Sequence, residues 1–174
     1  MLAVAGLLVC ARRSHLHAET TPPAAPANLA PWSAEVSVGY GAAIGGGAGA
    51  MVTRRSPLLV TLGGAVVVRD APALAAHGAV LLETLDRSAF GVAGGVRLLR
   101  VGGGLRLGVS GVGMLAPFTL WGLAVKAGRC AGVTGGLHLC GDLGLTTYVA
   151  GSDLAPGQTA SQVLLHLGVA FDAS

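Results

Sequence analysis

Over most of this chain, larger apolar residues alternate with small or polar ones at a period of two, and no other feature narrows the possible folds as much. In the first such segment Trp32, Ala34, Val36, Val38, Tyr40, Ala42 and Ile44 alternate with Ser33, Glu35, Ser37, Gly39, Gly41 and Ala43. Alternation of this kind places each set on its own face of a β-strand. Seven further segments repeat the pattern, at 58–69, 75–86, 89–100, 104–116, 118–131, 136–150 and 160–171, separated by Gly, Pro and charged residues. The result is about eight strands of roughly 11 to 15 residues, the length a tilted strand needs to cross a bilayer. An even number of antiparallel strands can close on itself, and closure matters in hydrocarbon because an open edge leaves backbone groups unpaired. The expected fold is all-β, an eight-stranded antiparallel up-and-down transmembrane β-barrel occupying 32–174.

Composition agrees with a chain that meets lipid. Charged residues are 11% of the 174, against about 25% in soluble domains, and the mean hydropathy is +0.69. The net charge of +3 comes from scattered arginines with no basic stripe, which argues against a nucleic-acid partner. Residues 1–18 open with an apolar run the length of an export-signal core and too short to span a bilayer, with cleavage expected near Ala18. Cys10 lacks the small preceding residues of a lipoprotein site. Residues 19–31, rich in Pro, Ala and Thr, read as an extended linker.

Most ionisable residues inside the segments fall on the small, polar face, as lumen residues of a barrel would. Glu35, Glu83, Arg97, Arg106, Lys126 and Asp142 are expected to pair across a lumen plugged by side chains, because eight strands enclose only enough room for them. Arg97 joins the face of Ala89, Gly91, Ala93 and Gly95, opposite Phe90, Val92, Val96 and Leu98. Its replacement is the expected probe of the network. Trp32 and Phe171 would form a girdle at the periplasmic rim, with Phe90 and Trp121 at the other. The chain's N-terminus would then be periplasmic, 45–57 and 151–159 external loops, and 70–74 and 101–103 short periplasmic turns.

The last segment resembles the C-terminal assembly signal of bacterial outer-membrane proteins: polar His166, then Gly168, then Phe171, with Val163, Leu165, Leu167 and Val169 on the outward face. In layout the chain from Trp32 to Phe171 is similar to the small eight-stranded barrels of the OmpA and OmpX type. The resemblance implies insertion into outer-membrane lipid by the outer-membrane assembly machinery, and no particular activity.

Signs of chemistry are few. Cys130 and Cys140 flank a turn near Gly135 and would face each other on the lumen side, so a disulfide is expected in an oxidising compartment. The alternative is a metal site with His138, for which the alternation supplies no closed ligand set. His138, His166, Ser110, Asp142 and Glu83 include the residue types of a hydrolase triad without a motif that joins them. The Gly-rich stretches lack the following helix of a phosphate loop. No catalytic residue and no cofactor are therefore expected. The uncharged stretch 107–125 is long enough for a membrane helix, but its glycines and Pro117 oppose one. A lipid-modifying enzyme and an exported lipocalin-like carrier, which would turn its larger apolar face inward, are the other readings.

Overall fold

The computed structural model describes residues 31–46, 58–70, 73–84, 88–101 and 105–173. The expected signal segment and nearly all of the linker lie outside the described residues, as does most of the first long loop. Eight strands follow in order: β1 (Trp32–Gly46), β2 (Leu58–Asp70), β3 (Ala73–Thr84), β4 (Ala89–Val101), β5 (Leu105–Ala116), β6 (Leu120–Thr134), β7 (Leu137–Ala150) and β8 (Thr159–Ala173). Each pairs antiparallel with the next and β8 closes on β1, giving an up-and-down closed barrel. The 107–125 stretch is divided between β5 and β6, and no described helix is long and apolar enough to cross a membrane.

The strand register fixes the barrel's shape. Paired residues traced around the wall run Trp32, Val66, Ala76, Val96, Val109, Val125, Leu145, Val163 and then Ala42, so one circuit climbs ten positions along β1. For eight strands such a stagger implies a tilt of roughly 40–45° and a radius of about 8 Å, room for side chains and little else.

The rim where β1 begins and β8 ends is called here the terminal rim; the other carries the long connections. At the terminal rim β6 and β7 are joined through Gly135 and Gly136, with φ of 50° and 81°. Two consecutive positive φ values make the tight turn whose twist matches a hairpin, which is why glycine stands at both positions. The turn sets the register that puts Cys130 opposite Cys140, and the two form a disulfide.

The two faces of the wall differ sharply. Val36, Leu62, Val80, Val92, Val109, Leu123, Leu143, Leu145, Leu165 and Leu167 are all exposed on the outward face. Trp32 and Phe171 lie outward at the terminal rim and Phe90 and Trp121 outward at the other, each with 40–49% of its surface exposed. Among the described residues no charged side chain lies on the outward face between the rims; the exposed arginines Arg69 and Arg129 belong to the terminal-rim parts of β2 and β6.

Candidate functional site

Small residues give the interior its shape. Gly39 on β1 and Gly144 on β7 leave the space taken by the His166 ring, since a Cβ at Gly39 would come within 2.6 Å of it. Gly128 on β6 leaves room for the Asp142 carboxylate in the same way. The polar face of small residues read from sequence is therefore a set of seats for a few large side chains.

Nearest the terminal rim lies an ion-pair cluster. Glu35 Oε2 accepts hydrogen bonds from Arg97 Nη1 and Arg106 Nη1, both at 2.8 Å, and Glu35 Oε1 accepts one from Arg106 Nη2 at 3.0 Å. On its other edge Arg106 donates from Nε to Asp142 Oδ1 at 2.7 Å and from Nη2 to Asp142 Oδ2. One guanidinium thus bridges two carboxylates, each through two bonds, and its planar fork suits this where an ammonium would not. The Arg106 and Asp142 side chains are only 8% and 4% exposed. Two arginines and two carboxylates balance.

Toward the other rim the interior is apolar. Leu59, Leu81, Val112, Met114, Leu120, Ala124, Tyr148 and Leu164 form a buried cluster that fills the bore, with Phe118 packed against it. Glu83 lies here, apart from the Arg106 cluster: it stands one residue from the end of β3, is buried beside Leu59 and Ala89, and receives a bond from Gln162 Nε2 at 3.4 Å. Four of the six residues expected to pair thus form the cluster, and Glu83 makes its contacts at the apolar end of the bore. Lys126 lines the cavities beside the four and makes no ion pair or hydrogen bond with a described residue.

Between cluster and plug lies a chamber of about 40 Å³. Thr61, His77, Ser110, Lys126, Thr146 and His166 supply its polar lining. His77 Nε2 and Ser110 Oγ are 3.2 Å apart, a contact sequence reasoning missed because His77 was not singled out; its inward phase on β3 was the available signal. This Ser–His pair has no acid behind it, since His77 Nδ1 is buried without a partner. His138 lies apart, 3.2 Å from Asp172 at the terminal rim. Among the described residues the Ser, His and acid candidates are not assembled into a relay, and the His77–Ser110 contact sits inside the bore, away from the rims where an acyl chain would arrive. No group of three His, Cys, Asp or Glu among the described residues could hold a metal ion. On β8, His166 and Gly168 face inward and Phe171 outward.

No protein-family model, curated protein or solved structure matches this chain.

Proposed function

We propose that the chain is an integral barrel of the bacterial outer membrane with a structural or interaction role, inserted by the assembly machinery and closed to solute flow. The observation that carries this is the outward face: an exposed apolar belt on all eight strands, uncharged between the rims among the described residues, with the ion pairs of Glu35, Arg97, Arg106 and Asp142 on the inside. On β7 the belt runs from Leu139 to Val149, which at the barrel's tilt is roughly 25 Å of height, the thickness of the apolar band in such proteins. The aromatics at both rims and the arginines near one suit the headgroup levels. Water could not solvate such a belt, and soluble proteins rarely expose apolar patches beyond a few hundred Å².

A carrier of apolar ligands would require the opposite partition, with the larger apolar face around an open cavity. Here the interior is closed by Met114, Tyr148 and Leu164 on one side and by the Arg106 bridge on the other. The test is an electrophoretic comparison of unheated and heated detergent samples from the outer-membrane fraction. Faster migration of the unheated form is expected. Recovery of the folded protein in the soluble fraction, with no heat-dependent shift, would overturn the proposal.

A further inference from the structure

We propose that the central chamber holds one small monovalent anion, of halide size, against the Lys126 ammonium. The inference rests on the membrane reading above, because a lipid surround makes the bore a place where charge must be balanced locally.

Charge balance is the first ground. Arg97 and Arg106 are matched by Glu35 and Asp142, and all three bonds to Glu35 come from the two guanidinium groups. Lys126 is a third cation on the same side, borders both the chamber and the cluster, and pairs with no described residue. Glu83 is separated from it by its place in the apolar plug. Lys126 shares the field of Glu35 and Asp142 with two guanidinium groups and has no carboxylate of its own; an ammonium so placed in a low-dielectric interior is costly, so a bound anion has an electrostatic reason to be there.

Hydrogen-bond inventory is the second. The chamber lining offers the three N–H groups of Lys126, the hydroxyls of Thr61, Ser110 and Thr146, and the rings of His77 and His166. Of these the Thr61 hydroxyl and the Nδ1 atoms of His77 and His166 are buried with no partner. Among the described residues the carboxylate on this lining is Glu35, which already takes three bonds from the two guanidinium groups. The Lys126 ammonium can only donate, and the hydroxyls and imidazoles can each turn a proton toward a ligand, so the lining can satisfy one that only accepts. A chamber of this size suits a halide with one or two waters and excludes a lipid headgroup.

The test is unfolding in urea of the full protein refolded in detergent, with sodium gluconate exchanged stepwise for sodium bromide at constant ionic strength. The wild-type midpoint should rise with the logarithm of bromide concentration once the site fills, as linkage requires of a ligand held only by the folded state. In Lys126→Met the midpoint should be independent of bromide; Lys126→Gln serves the same purpose should the methionine variant not fold. A wild-type midpoint unmoved by bromide would mean that Lys126 sheds its proton or is solvated by water, and overturns the site. So would a bromide effect of the same size in the variants. A protein that keeps its heat-dependent mobility but ignores bromide loses only the anion site, whereas loss of the mobility shift removes the barrel reading itself.

Discussion

The two halves of this barrel's bore are closed by opposite means. Near the terminal rim Arg106 holds Glu35 and Asp142 in a fixed, charge-neutral set, while near the other rim Leu59, Met114, Leu120, Tyr148 and Leu164 pack as an ordinary hydrophobic core. Both occupy the bore with side chains. Their dependence on single residues differs. Apolar packing loses energy in proportion to what is removed, since each neighbour keeps its remaining contacts. A buried ionic set loses more when one member goes, because the partners left behind stay charged and desolvated.

The largest effect should follow removal of the bridging guanidinium. Arg106→Met strips Asp142 of both its arginine bonds and leaves Glu35 with the single bond from Arg97, and is expected to cost about 3–5 kcal/mol, read as a lower urea midpoint in detergent. In the apolar half, Leu164→Ala should cost about 2–4 kcal/mol from lost burial and the cavity left behind. A larger loss at Leu164 than at Arg106 would reverse the comparison.

Arg97 sharpens it. Sequence phase made this residue the natural probe of the network, yet it bonds one carboxylate oxygen only and its side chain is 17% exposed, whereas Arg106 would continue to hold Glu35 in its absence. Arg97→Ala is expected to cost about 1–3 kcal/mol by the same unfolding measurement, less than Arg106→Met.

The contrast between the halves also marks what could be read from the sequence. The period of two gave eight strands whose ends agree with those observed to within two or three residues, because turns at glycine and charged positions punctuate it. The Cys130–Cys140 bond followed from the Gly135–Gly136 turn. The apolar plug did not follow, although Leu58 and Leu59, Leu81 and Leu82, and Leu164 and Leu165 mark where both faces are apolar. Such pairs blur the alternation, and which member faces the bore depends on register. The height of Glu83 in the bore was illegible for a related reason. Phase gives the face of a residue, whereas its height depends on its position along the strand and on the stagger between strands. Its place near the end of β3 held that information.

The smallest effect is expected at the disulfide. It closes a separation of 10 residues within a hairpin that its own turn and strand pairing already hold. Cys130→Ser with Cys140→Ser should therefore cost only about 1–2 kcal/mol, below the usual range for longer loops, measured against the oxidised protein in the same detergent.

The account stands on the outward belt being the surface that meets lipid, and the chain's two tryptophans report on it directly, since Trp32 and Trp121 lie outward at opposite rims. In vesicles of phospholipid brominated at different depths along the acyl chain, the fluorescence of both should be quenched, most strongly by bromine near the headgroup, in Trp32→Phe and Trp121→Phe variants alike. Fluorescence unaffected by bromine at any depth, from protein that has folded and associated with the vesicles, would contradict it.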